Sequence, residues 1–448
     1  MIRKFLESLR KFIEEICCVA HERGIPFPKR PWRKYRAEVE NGRLDIRFVE
    51  TDWKPDLSAF SERTVGLNTE ESRVFGDLIE IIERSEKLSR VFLTDNAGNP
   101  LPKELDKRQI KYWVLSRLLP IIRLYFSEVG SFDFSSRVFS RVCDRLEREI
   151  EQFPRCERIL LCPLVGVHVA EGCCFQLEDD LRIRSLSQEE IEELFNECVP
   201  YYPGPNFSTV IEVRRIIEAF NAISFPLEDS RRIECLVTAL RLLSGERVFV
   251  PFQVEKNLGV LKIPFEKASF MSLEQRIVPV PGRLYILNER DRAEVEEMYR
   301  CMSEFLLDSK SGKIDLDTKL KRRVALALRK YSECLDQTSH EWKLIASWTA
   351  LEALFSPSDQ SELSFRLALR AATFLGQKEV YQKLKNSYRI RCKIVHGRSS
   401  SEDEVKSAVT ETEEVLSQVL RKILQEPESY TPDQLEEKLL QNLTAGCT

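Results

Sequence analysis

The sequence predicts an α+β protein, with a mixed α/β N-terminal region followed by an all-α helical bundle. Two patterns carry this. Short apolar runs bounded by turn residues occupy the first 290 positions or so. From Asp291 onward, apolar residues recur at helical spacing with short connections between segments. The composition agrees: 43% hydrophobic and 31% charged residues, with only 16 glycines and 20 prolines among 448. Such a chain buries a sizeable core in two or three domains and is neither disordered nor fibrous.

Residues 2–20 form an amphipathic helix, with charges every few positions and no unbroken apolar stretch of the signal-peptide kind. PFPKRPWRKYR, Pro26 to Arg36, reads as an exposed basic connector because it holds three prolines. Leu44 to Val49 alternates like a strand, and Thr69 opens a helix. Thr94 to Pro102 is a turn-rich loop between that helix and two more, 103–127 and 133–152, the first bent at Pro120.

Ile159 to Val169 and Cys174 to Ile183 read as a strand pair with a turn at Glu171–Gly172. A capping box, Ser187 with Glu190, opens a helix to Phe195. Val210 to Val213, Val248 to Phe252 and Leu258 to Ile263 are short strands, and Asp229 to Leu243 is a helix.

Then come six helices: 292–307, 317–335 after a joint at SKSGK (309–313), 340–355, 362–375 capped by Ser361, 379–396, and 402–425 opened by a Ser401–Glu404 capping box. Gly376 and Gly397 stop two of them. The expected organisation is a mostly helical region at 1–152, a mixed α/β sensor or regulatory region at 153–290, a bundle at 291–425 and a loosely attached tail at 426–448.

A net charge of −4 argues against a globally basic nucleic-acid binder, while leaving room for local basic surfaces. The longest apolar run, Ile159 to Ala170, is shorter than the roughly 20 residues a spanning helix needs. Thirteen scattered cysteines do not resemble a secreted disulfide framework, so the expected setting is the reducing cytoplasm.

The chemically informative segment is YRIRCKIVHG, Tyr388 to Gly397. It sets a guanidinium, Arg391, and an imidazole, His396, near a helix end. Histidine moves protons near neutral pH, and arginine stabilises charge building on a phosphate. On a straight helix the two side chains diverge by roughly 140°. They converge only if the helix end unwinds at Gly397 or a second copy completes the site. The plain alternative is a helix C-terminus whose cations meet unpaired carbonyls.

HEWKLIASWTALEALFSPSDQSELSFRLALRAATFLG (340–376), followed by that segment, resembles the HEPN superfamily, most closely its Apea-like branch. The likeness covers roughly 290–425 and rests on TALEALF, the helix with Ser361, Phe365, Arg366 and Arg370, and the Arg391-to-His396 motif. It extends weakly to CPLVGVHV and LEDDLRIRSLSQEEIEELF upstream. The resemblance implies a bundle of four or five helices that pairs into a homodimer. It also implies a metal-independent endoribonuclease of antiviral defence or toxin–antitoxin systems, leaving a 2′,3′-cyclic phosphate and a 5′-hydroxyl. The family motif falls on Arg391 and His396 only. Where many members carry Asn, Asp or His after the arginine, this chain has Cys392. A non-catalytic HEPN module for dimerisation or RNA binding is the alternative.

Supporting candidates are Glu352, set to pair with an arginine of the bundle, and Tyr388, one turn before Arg391. For Glu352 the competing expectation is a structural salt bridge to Arg366 or Arg370. Lys29, Arg30, Arg33, Lys34 and Arg36, interleaved with Trp32 and Tyr35, could hold RNA by phosphate contacts and stacking, or be a solvated connector. The basic face of 320–330 could steer RNA. Cys156, Cys162, His168, Cys173 and Cys174 lack zinc-site spacing, so no metal or cofactor is expected. The expected partners are RNA, a second copy of the chain and a phage-derived trigger or regulator at the N-terminal region, with no membrane.

Overall fold

The structure, a computed structural model, describes residues 1–40, 43–55, 71–95, 98–102, 104–170, 173–194, 207–218, 227–259, 271–272, 284–306, 318–356 and 363–435, with a few isolated positions between them. The chain is α+β, as the patterning predicts: mixed helices and antiparallel sheet first, helices last.

The N-terminal layer contains α1 (Ile2–Glu22), α2 (Arg73–Glu83), α3 (Glu86–Phe92), α4 (Lys107–Val129) and α5 (Ser136–Gln152). Phe5, Leu9, Phe12, Ile16 and Ala20 recur every three or four residues along α1 and are buried. Phe12 stacks on Phe75, with ring centroids 4.9 Å apart, and Phe5 meets Phe92 at 5.2 Å. α2 is capped by Ser72, whose hydroxyl accepts from the Phe75 amide at 3.1 Å, so its cap lies three residues after the expected Thr69. α4 begins at an Asp106–Gln109 capping box and runs through Pro120.

Residues 26–28 connect as expected, but 29–36 are not a connector. Lys29–Glu40 forms strand β1, paired antiparallel with β2 (Arg43–Pro55) in a two-stranded ribbon. The prolines misled the reading because a ribbon edge tolerates a missing amide donor, and Pro31 sits there opposite Trp53. A bulge at Lys34/Tyr35 shifts the register. The outer edge of β1 is closed by side chains. Asn196 accepts from the Arg33 amide and donates to the Arg33 carbonyl, both at 2.9 Å.

The central sheet has the order β5-β6-β7-β3-β8-β9, all antiparallel, built from β3 (Arg155–Leu164), β5 (Cys174–Glu178), β6 (Leu181–Ser185), β7 (Thr209–Glu218), β8 (Phe252–Asn257) and β9 (Met271–Ser272). Leu160, Cys162 and Leu164 of β3 face one apolar core, while Ile159 and Leu161 face another. Burial on both faces explains the unbroken apolar run. The expected pairing of 159–169 with 174–183 does not form. β4 (Val167–Val169) instead pairs parallel with β10 (Tyr285–Leu287), and residues 174–185 split into β5 and β6. The expected strand 248–252 lies later, as β8, and Leu258 follows it outside regular structure. α6 (Gln188–Glu193) has its Ser187–Glu190 capping box. Residues 171–172, SKSGK and Ser361 lie outside the described residues.

One apolar cluster runs from the sheet through α7 (Leu227–Ser244) and α8 (Arg292–Leu306) into α9 (Thr318–Asp336), α10 (His340–Phe355), α11 (Leu363–Leu375), α12 (Lys378–Val395) and α13 (Glu402–Gln425). The start of the tail is anchored: Tyr430 is buried and donates to the Leu354 carbonyl at 2.6 Å. No helix among the described residues is long and apolar enough to cross a membrane.

Candidate functional site

α12 buries Val380, Leu384, Ser387 and Ile390, spaced three or four residues apart, and so presents Arg391 at the edge of that stripe. The helix ends in a Schellman motif. The Arg398 amide donates to the Lys393 carbonyl at 2.8 Å and the Gly397 amide to Ile394 at 3.0 Å. Gly397 has φ +68°, which L-residues rarely adopt. His396 is the last residue before this reversal and is exposed, and its side chain has no hydrogen bond or ion pair among the described residues. The helix does not unwind ahead of it: α12 runs unbroken to Val395, and only His396 itself, at φ −93° and ψ 15°, leaves the helical region.

Arg391 lies five residues earlier and its side chain is 21% exposed. Its Nη2 sits 3.2 Å from Glu352 Oε1 on α10, and its guanidinium carbon lies 5.6 Å from the Tyr388 ring centre. Its Nε is buried without a hydrogen-bond partner. The sequence-predicted Glu352, Tyr388 and Arg391 therefore meet. The alternative pairing of Glu352 with Arg370 does not form, because Arg370 turns to the Phe355 carbonyl at 3.2 Å.

Burial raises the Glu352 carboxyl above its ordinary pKa despite the pull of Arg391. A single 3.2 Å contact does not outweigh the loss of water around the carboxylate. Burial also raises the Tyr388 hydroxyl, and the adjacent Cys392 thiol adds to the effect.

Three residues missed by sequence reasoning hold this arrangement. Trp348 meets the Tyr388 ring edge-on at 5.0 Å and donates from Nε1 to Ser387 Oγ at 2.9 Å. Ser387 shares a hydrogen bond with Thr412, which donates to the Ala408 carbonyl at 2.6 Å. The thread ties α10, α12 and α13 directly behind Arg391. A buried tryptophan beside small hydroxyl residues is its sequence signal, but the partners are up to 64 positions apart, and only the fold joins them.

The basic cluster at 29–36 is divided. Lys34 pairs with Glu50 at 2.9 Å and Asp52 at 3.3 Å, which raises the lysine and helps lower Asp52, whose strongest influence is the Trp53 amide. Arg36 pairs with Glu38 at 3.2 Å, and Arg30 lies over the Trp32 ring. Lys29 and Arg33 are exposed. On α9, Val324, Ala327 and Leu328 are buried and Lys330 pairs with Glu333.

Cys162 is a buried core residue, its thiol pushed up by burial, and His168 Nδ1 lies 2.7 Å from Ser208 Oγ. Among the described residues no group of three or more His, Cys, Asp or Glu could hold a metal ion.

No family model, curated protein or solved structure matches this chain.

Proposed function

We propose that the chain is a metal-independent HEPN-type endoribonuclease, acting in the cytoplasm as a homodimer in defence against phage or as a toxin effector. The observation that carries the reading is Arg391, oriented by Glu352, five residues before the exposed His396, whose side chain has no partner among the described residues. The resemblance of 340–397 to the superfamily supplies the reaction.

In that reaction His396 removes the proton from a ribose 2′-hydroxyl. The 2′-oxygen bonds to phosphorus, and the phosphorus–5′-oxygen bond breaks. The departing oxygen takes a proton from an imidazolium, leaving a 2′,3′-cyclic phosphate and a 5′-hydroxyl. Arg391 stabilises the charge on the phosphate oxygens, and Glu352 limits where its guanidinium points. A second copy supplies a facing Arg391–His396 set. The N-terminal region responds to a phage-derived trigger.

Cleavage of RNA in EDTA tests this reading. Arg391→Ala and His396→Ala are each expected to lower the rate by about 100-fold or more. Unchanged cleavage by folded His396→Ala protein refutes the assignment. Cys392, where a polar residue is common in the family, favours a second reading as a non-catalytic dimerisation or RNA-binding module. Under that reading the native chain is inert and Cys392→Asn gains activity.

A further inference from the structure

The ribbon of β1 and β2 sorts its side chains by face. Strand alternation puts Arg30, Trp32 and Lys34 on one face of β1 and Lys29, Pro31 and Arg33 on the other. The first face is used internally. Trp32 is buried, its indole donates to Glu192 at 3.2 Å, and Arg30 and Lys54 flank its ring at 5.2 and 4.2 Å. Both carboxylates of this stretch of β2, Glu50 and Asp52, lie on this face and pair with Lys34.

The opposite face carries no carboxylate. The register sets Lys29 opposite Pro55, Pro31 opposite Trp53 and Arg33 opposite Thr51. Lys29, Pro31, Arg33, Thr51 and Trp53 are all exposed, Trp53 to 61%. The side chains of Lys29 and Arg33 have no ion-pair partner among the described residues. Beyond the bulge the ribbon turns inward, with Tyr35 and Ile46 packed on the second sheet core. The exposed platform is therefore short: one indole between two cations that are unpaired among the described residues.

We propose that this face binds single-stranded RNA, with Trp53 stacking on an unpaired base while Lys29 and Arg33 neutralise the flanking phosphates. An indole stacks on any base, and two cations without a competing acid complement a sugar–phosphate backbone. The choice of RNA rests on the proposed nuclease reading; the stacking face does not.

The test is anisotropy of a labelled oligouridine of roughly 12 nucleotides on the full-length chain, compared with a duplex of the same length and an oligothymidine. Trp53→Ala should weaken single-strand binding roughly tenfold. Lys29→Glu with Arg33→Glu should also weaken it and reduce the salt slope by about 1.4. Both changes are on exposed positions, and circular dichroism checks folding. The proposal falls if single-strand affinity is unchanged by Trp53→Ala, if duplex binds as tightly as single strand, or if Trp53→Ala alters only self-association. Preference for the oligothymidine overturns the choice of RNA. Using His396→Ala protein separates the two readings: its retained binding without cleavage by the native chain sinks the nuclease, and cleavage without ribbon-dependent binding sinks this proposal.

Discussion

Glu352 sits where its charge is costly, and this has a measurable sign. Its folded pKa is raised, first by burial, with Arg391 opposing. Between the unfolded and folded pKa values the native state holds the extra proton, so stability falls as pH rises through that window. Below it both states are protonated and the carboxyl costs nothing. Glu352→Gln resembles the protonated form. It should be close to neutral in urea unfolding near pH 4, and more favourable relative to the native chain near pH 7. A larger loss of stability near pH 7 than near pH 4 would mean that the ion pair outweighs burial. Cleavage should fall even where stability does not, because the amide no longer holds the Arg391 guanidinium as an ion pair.

The end of α12 is set by a single glycine. At φ +68° a Cβ is strained although nothing lies within 4 Å of where it would sit, so the cost is in the backbone alone. Gly397→Ala should destabilise by about 1–2 kcal/mol in urea unfolding, with Gly397→Asn in between. If His396 acts in cleavage, both substitutions should reduce the rate by more than the unfolded fraction explains. An activity that tracks only the folded fraction would show that the helix end does not aim His396.

Elements of this kind were legible in the sequence. The last six helices follow from apolar spacing and from capping residues such as Ser401 with Glu404, whose box is present. Only half of the ribbon was legible: alternation at Leu44–Val49 falls inside β2, whereas β1 was hidden by the prolines around its start. β4 falls inside the expected strand Ile159–Val169, but its parallel partner was not legible, since alternation carries no record of which strand a residue will meet.

For the whole molecule, the sheet and the helices share one apolar cluster, and polar contacts tie them together. Arg241 of α7 donates to Asp336 at 2.9 Å and to the Val248 carbonyl at 2.6 Å, while Tyr331 donates back to the Arg241 carbonyl at 3.2 Å. Arg241→Ala should cost about 2–4 kcal/mol, and sheet and helices should unfold in one urea transition, since buried pairs are expensive to break singly. Two separated transitions would show that the shared core does not couple them. The candidate site illustrates the same limit of sequence reading at this scale. Arg391 and His396 stood out because they are neighbours in the chain. Glu352 was visible, but which arginine of the bundle it meets was left open, because sequence carries no depth. The Trp348–Ser387–Thr412 thread needs three helices in place before it exists.

The Asn196 amide that closes the outer edge of β1 acts as a terminator for strand addition. With one edge of the ribbon occupied, a second chain has, among the described residues, the β2 edge to join, and two chains joined there leave no further ribbon edge to extend. Misassociation through this ribbon is therefore expected to stop at pairs instead of growing into fibrils. Gln188 also donates to the Tyr35 carbonyl on that edge, so both amides must go to free it. Asn196→Ala with Gln188→Ala should convert a finite association into open-ended growth, visible as light scattering that rises with time in concentrated solution.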